Sequence, residues 1–121
     1  MGNDRASGYG LAMTTKKSHR RAWKKNESLI ADFIGGERIP VSGRARGDQP
    51  DIKHNFLSPE VKLRGSLPKW MHDAMDQAEK SAKGNQTPCV ILRQKRQRVG
   101  DAFVIFKLSD FTRRFMPYLD E

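Results

Sequence analysis

Asp51, Glu60 and Lys62 are the side chains of this 121-residue chain whose types and spacing could do chemistry together. Asp51 follows a proline in Gln-Pro-Asp-Ile, Glu60 stands nine residues later, and Lys62 two residues beyond it in Pro-Glu-Val-Lys-Leu-Arg-Gly. Side chains on a strand alternate in direction, so Glu60 and Lys62 share one face about 6 to 7 Å apart while Val61 points the opposite way into a core. An antiparallel return through Asn55 to Pro59 would bring the Asp51 carboxylate beside that of Glu60. Two converging carboxylates make a hard-oxygen site for Mg²⁺, or Mn²⁺ as its substitute. Such a cation polarises a phosphoryl oxygen and acidifies a bound water. Lys62 would hold that nucleophile or the charge growing on phosphorus. The chemistry that such a site would perform is metal-dependent phosphodiester hydrolysis. An E-x-K triplet alone is also the ordinary solvated face of a strand, so the reading leans on the order of the motifs and on the basic balance of the chain.

These groups must be positioned by surrounding elements. Residues 1–15 mix Gly, Ser and polar residues without periodicity and read as a disordered arm; residues 16–121 read as one domain. The segment Lys16–Lys25 carries six Lys or Arg, among them Arg20, Arg21 and Lys24, and runs into a helical pattern. Trp23, Ile30 and Ile34 form its apolar stripe, with Leu29 and Phe33 at the margin. Glu27 lies within that stripe. An inward carboxylate is costly unless paired or metal-bound, which marks Glu27 as a candidate site residue; the ordinary alternative is an edge glutamate bonded to a lysine. Gly35-Gly36 ends the helix by supplying the left-handed cap conformation.

A first strand is expected over Arg38–Ser42, then a loop whose Arg44 and Arg46 suit a phosphate backbone as well as solvent, then strands carrying Asp51 and Glu60. Arg64 follows directly. Pro68 to Lys83 reads as a second helix with an apolar face of Trp70, Met71, Ala74, Met75, Ala78 and Ala82, Gln77 at its edge, and Gly84-Asn85 closing it. Cys-Val-Ile-Leu-Arg and Ala-Phe-Val-Ile-Phe-Lys-Leu read as two strands, their apolar runs suited to a central, doubly covered position. They enclose a basic turn with Arg93, Lys95, Arg96 and Arg98, a second candidate phosphate grip. A short final helix after Ser109 exposes Phe111, Phe115, Met116 and Tyr118, suited to capping the core or to a dimer contact.

The run from Glu27 through Ile-Ala-Asp-Phe-Ile-Gly-Gly-Glu-Arg-Ile-Pro-Val-Ser-Gly-Arg, then Pro-Asp-Ile, Glu-Val-Lys-Leu-Arg-Gly-Ser-Leu-Pro-Lys-Trp and Gln77, resembles the PD-(D/E)XK nuclease superfamily. Within it, the chain resembles the archaeal-type Holliday junction resolvases, including those carried by some phages, over about residues 20 to 111. The resemblance implies an α/β, restriction-endonuclease-like fold with a central mixed five-stranded β-sheet flanked by helices. It further implies a homodimer that cuts DNA four-way junctions with paired symmetric nicks, leaving 5′-phosphate and 3′-hydroxyl ends, in recombination and repair. Carried over by position, Glu27 matches the first-helix glutamate, Asp51 the PD aspartate, Glu60 and Lys62 the E-x-K pair, Gln77 the glutamine of the following helix, and Ser42 a loop serine. Asp51, Glu60, Val61 and Glu27 are then the expected metal-ligand set. The loop around Ser42 is richer in arginine than the family pattern.

Composition sets the bounds. Lys and Arg number 23 against 14 Asp and Glu, a net charge of +9 that favours a polyanionic partner. No apolar run nears the roughly 20 residues that span a bilayer, and no hydrophobic leader opens the chain, so no membrane role and a cytoplasmic location are expected. No Gly-rich nucleotide loop is present, so no nucleotide triphosphate is expected. Cys89 lies in an apolar run and reads as a core thiol; His19, His54 and His72 lack zinc-ligand spacing, and His54 has no assigned role. Two further readings share much of this pattern. One is a PD-(D/E)XK endonuclease of nicking or repair type; the other is a non-catalytic basic DNA-binding module.

Overall fold

The computed structural model describes residues 12–40 and 50–120. It is mixed α/β, with α1 (Ala12–Ile34), β1 (Glu37–Arg38), β2 (Ile52–Lys53), α2 (Lys69–Ser81), β3 (Val90–Leu92), β4 (Phe103–Ile105) and α3 (Leu108–Phe115), followed by a 3₁₀ turn at Pro117–Asp120. The chain divides into two compact units, one ending at Leu63 and the other starting at Arg64. Ser42, Arg44 and Arg46 lie outside the described residues. No helix among the described residues is long and apolar enough to cross a membrane.

In the first unit α1 begins at Ala12, so residues 12–15 are helical where an arm was expected. Its inward stripe is Glu27, Ala31 and Ile34, all buried, while Leu29 and Phe33 are exposed as their marginal positions predict. Gly35 takes φ 73°, and the helix closes with Gly35 N–H donating to Asp32 O and Gly36 N–H to Ala31 O at 2.8 Å. This is a Schellman closure. Gly36 has a second reason to lack a side chain. A Cβ there would sit 2.7 Å from Lys53 O and 2.8 Å from Ile52 Cγ2, where the helix end crosses β2.

β1 and β2 are antiparallel, with Glu37 opposite Lys53 and Arg38 opposite Ile52. Ile39 N–H adds a bond to Asp51 O at 3.0 Å, and Pro40, with no N–H to donate, stops the ladder. Glu60 to Lys62 runs beside Asp51, joined by a bond from Asp51 N–H to Pro59 O at 3.3 Å, yet it forms no strand ladder. Two donors are missing from that edge: Pro59 has none, and Val61 N–H is taken by the Asp51 side chain.

In the second unit α2 starts one residue later than the sequence suggests. Pro68 occupies the cap position itself, without a side-chain cap bond, and the helix ends at Ser81 with Ala82 extended. Gly84, at φ 58°, belongs to the turn beyond. β3 and β4 pair antiparallel, Ile91 opposite Val104 and Leu92 opposite Phe103. Among the described residues the sheets are two-stranded, β1 with β2 and β3 with β4. The doubly covered position expected for β3 and β4 is not observed: Ile91 is 68% exposed and Phe103 67%. Met116, expected on the surface, is buried at 1%; Phe106, Phe111 and Phe115 stack at ring distances of 5.0 to 5.7 Å. Lys107 at the start of α3 bonds Glu79 of α2 at 2.6 Å. That hydrogen bond, then the charge of Glu79, holds the Lys107 ammonium above its ordinary range.

Gly36→Ala drives a methyl group into the Lys53 carbonyl and the Ile52 side chain, and we expect it to destabilise the first unit by about 1 to 3 kcal/mol. Chemical denaturation checks this; an unchanged midpoint would mean that α1 and β2 are not in close contact.

Candidate functional site

The site is built where α1, β1 and β2 meet the Glu60–Lys62 segment. Asp51 directly precedes β2 and is buried at 7% exposure. Its Oδ2 accepts the Val61 N–H at 2.6 Å, a charge-assisted bond of the stronger kind. This contact joins the Pro-Asp motif to the Glu-Val-Lys motif through the residue between the two charged side chains. Val61 itself is turned inward and buried, so Glu60 and Lys62 face the other way, as their alternation predicts. They lie side by side: Lys62 Nζ is 3.2 Å from Glu60 Oε2, both well exposed.

Glu27 is fully buried. Arg38 Nε donates to its Oε1 at 2.8 Å, across from α1 to β1, with the Arg38 side chain 18% exposed. The carboxylate singled out on the apolar stripe is therefore the counter-ion of Arg38. Sequence reading missed Arg38 as its partner, although a cationic residue beginning the next strand was the available signal.

His54 was also left unassigned, and its environment is specific. Its Nε2–H donates to Ile34 O at the end of α1, 2.9 Å away. Its Nδ1 accepts from Phe56 N–H at 3.3 Å and Leu57 N–H at 3.2 Å. The carbonyl fixes which ring nitrogen carries the proton. His54 thus clamps the helix end to the loop that leads into Glu60, and its ring meets Phe56 edge-on at 4.8 Å.

The oxygen donors of this region suit a hard divalent cation in chemical type: the carboxylates of Asp51 and Glu60 and the carbonyl of Val61. Among the described residues no group of three or more His, Cys, Asp or Glu side chains gathers around one point, and Glu27 is engaged by Arg38. Gln77 lies in the second unit on the exposed side of α2, its amide 3.4 Å from Ser81 Oγ.

Candidate phosphate contacts divide by what they already touch. Arg20, Arg21 and Lys24 are exposed on α1. In the β3–β4 turn, Arg93 donates twice to Gln97 O, at 2.9 and 2.6 Å, and Arg98 pairs with Asp101 at 3.4 Å. Arg96 holds φ 69° at the tip, next to Lys95, both exposed. Arg64 is exposed just beyond the Glu60–Lys62 segment. Cys89 is half-buried, less covered than a core thiol would be.

No family model, no curated protein and no solved structure matches the chain.

Removing one member of a buried ion pair leaves the other charged and uncompensated, at a cost of about 3 kcal/mol or more, whereas replacing both is far milder. We expect Arg38→Met to destabilise the first unit strongly and Glu27→Gln with Arg38→Met to recover most of the loss. A double-mutant cycle by urea denaturation measures the coupling; strictly additive effects would dissolve the pair.

Proposed function

We propose that this chain is a metal-dependent DNA endonuclease of the PD-(D/E)XK kind that resolves four-way junctions by paired symmetric nicks. The observation that carries the reading is the Asp51–Val61 hydrogen bond at 2.6 Å, which holds the aspartate of one motif against the backbone of the other. In this reading the fold is restriction-endonuclease-like with a central sheet of five strands, and the active form is a homodimer, matching the two-fold symmetry of its substrate.

Asp51, Glu60 and the Val61 carbonyl would hold Mg²⁺, with Mn²⁺ as substitute; Glu27 would join them only by releasing Arg38. The bound cation supplies Lewis acidity at the phosphoryl oxygen. The chain's own residues do the rest. Lys62, 3.2 Å from Glu60, carries a mobile positive charge that can pass from its carboxylate partner to the charge developing on phosphorus. Asp51 is fixed by its backbone donor and needs no reorganisation at the moment of reaction. The exposed cations of α1, Arg20, Arg21 and Lys24, together with Lys95 and Arg96, serve as sequence-independent contacts to the backbone. Ser42 and Gln77 are assigned supporting roles on the resemblance alone, and Arg44, Arg46 and Arg64 are assigned further backbone contacts on their charge.

A second reading, a non-catalytic basic DNA-binding module, draws on the pairing of Glu27 with Arg38 and of Glu60 with Lys62. Both carboxylates are there answered by cations of the chain itself.

Cleavage of a synthetic four-way junction against matched linear duplex, with Mg²⁺, Mn²⁺ or EDTA, separates the readings. We expect metal-dependent paired nicks confined to the junction. Asp51→Asn retains an oxygen for the Val61 N–H, so it should keep the fold and junction affinity while lowering turnover by a hundredfold or more, on the order of a lost catalytic group. Glu60→Gln and Lys62→Ala, both on exposed side chains, should do the same. Full cleavage by any of the three would displace the active site from this position; binding by the parent chain with no cleavage in any lane would leave the module.

A further inference from the structure

The second unit contains a cavity of about 360 Å³ that none of the groups above explains, walled by the Gly84–Pro88 loop and by α3. Its loop is fixed from two sides. Gln86 N–H donates to Lys83 O at 3.0 Å, and Lys83 N–H donates in return to Gln86 Oε1 at 3.0 Å. From α3, Arg114 Nε donates to Thr87 Oγ1 at 2.8 Å, and its Nη2 donates to Asn85 O. Both acceptors of Arg114 are neutral.

That neutrality distinguishes Arg114 from its neighbours. Arg113, on the same wall, gives its Nη1 to Asp110 Oδ1 at 3.0 Å, so those two charges answer each other. Among the described residues no carboxylate answers Arg114. A guanidinium has five N–H donors in a rigid fork; two serve the loop, and the others remain for a ligand beside a preformed space. Two bonds to the loop fix the plane of the fork in advance, which lowers the ordering cost of binding. A planar fork with fixed orientation matches a tetrahedral oxyanion better than any neutral ligand.

We propose that this cavity is a phosphate-binding pocket centred on Arg114, and that it takes a phosphodiester group of a nucleic-acid backbone. The inference rests on the reading that the chain binds DNA, and it adds a contact separate from the Glu60–Lys62 segment and from the β3–β4 turn. Arg114 supplies the fork, the loop supplies the shape, and Arg113 with Asp110 leaves the net charge of the wall positive.

The test is binding of a fluorescent four-way junction, without divalent metal, between about 50 and 200 mM salt, where each phosphate contact contributes about one unit of log–log slope. Arg114→Gln should weaken binding roughly tenfold and flatten the slope by about one; Arg114→Lys should retain the slope and lose part of the affinity. Because Arg114 also holds the loop, Gln86→Glu provides an independent arm. It keeps an acceptor for Lys83 N–H and adds a negative charge to the wall, so it should weaken binding several-fold with the fold intact. In parallel, inorganic phosphate should shift the backbone amide resonances of Asn85, Gln86 and Thr87 in the parent chain and not in Arg114→Gln. If both variants bind the junction with parental affinity and slope, the pocket assignment is overturned while a steep parental slope keeps the DNA reading. Phosphate shifts without any effect on junction binding would identify a free-anion site and overturn the backbone assignment. A parental chain that binds no nucleic acid would remove the underlying reading itself.

Discussion

The buried hydrogen bond from Val61 N–H to the Asp51 carboxylate is the constraint around which the first unit is arranged. Taking a carboxylate out of water costs several kcal/mol, and a hydrogen bond to a charged group returns only about 1.5 to 3 kcal/mol. A fold that needed nothing but stability would place an apolar side chain or a neutral amide here. The bond also consumes a backbone donor that a ladder would use, so the segment from Glu60 to Lys62 is extended without being a paired strand. Position is thereby set by the Asp51 side chain and one backbone bond to Pro59 rather than by a sheet. This couples the chemistry to the fold, because the group that would hold a cation also fixes where the second carboxylate and the lysine stand.

Two more polar contacts converge on the same region from α1. Arg38 reaches the buried Glu27 from β1, and His54 reaches the last carbonyl of α1, that of Ile34, from beyond β2. Each spans a large sequence separation and each depends on orientation, which apolar packing alone does not enforce. The apolar part of this core is small, chiefly Ala31, Ile34, Ile52 and Val61. With so few apolar side chains, direction comes from hydrogen bonds: the Schellman closure at Gly35-Gly36, the imidazole clamp, and the Asp51 bond. The same economy explains Gly36, where the backbone of β2 approaches closely enough to exclude even a methyl group.

Periodicity and cap chemistry carried the local part of this architecture. The end of α1 at Gly35-Gly36, the inward Val61 between outward Glu60 and Lys62, and the extent of α2 to within two residues follow from alternation, helical spacing and the glycine preference for positive φ. The buried Glu27 was legible as an anomaly on an apolar stripe, though its partner was not, since pairing across 11 positions depends on how the chain turns. Apolar runs misled at β3 and β4. Val, Ile and Phe declare a strand wherever they cluster, but the covering of its faces is decided by tertiary packing, and here Ile91, Phe103 and Val104 remain exposed. Met116, expected with its neighbours on an exposed end suited to capping the core or to a dimer contact, is buried where the helix breaks after Phe115. His54 was invisible because both of its ring nitrogens bond to backbone, and backbone partners leave no trace in residue identity.

The excess of positive charge gains meaning once the cations are sorted by whether the fold already uses them. Arg38, Lys62, Lys69, Arg98, Lys107 and Arg113 each lie within ion-pair distance of a carboxylate of the same chain. Their charge is offset locally, and an incoming polyanion would have to compete for it. Arg20, Arg21, Lys24, Lys95, Arg96 and Arg114 have no such partner among the described residues, and each keeps donors or field for an external anion. The positive balance of the chain thus includes exposed cations that no carboxylate among the described residues offsets. Surface ion pairs contribute little to stability, so leaving these cations unpaired sacrifices little. An unneutralised guanidinium attracts phosphate across a distance of order the Debye length, about 8 to 10 Å at physiological salt. Arg96 makes the point most sharply, since it holds a backbone conformation that costs an ordinary residue about 1 kcal/mol or more. The fold accepts that strain at a turn tip where the side chain is exposed, which leaves the guanidinium open to solvent and to any anion that approaches.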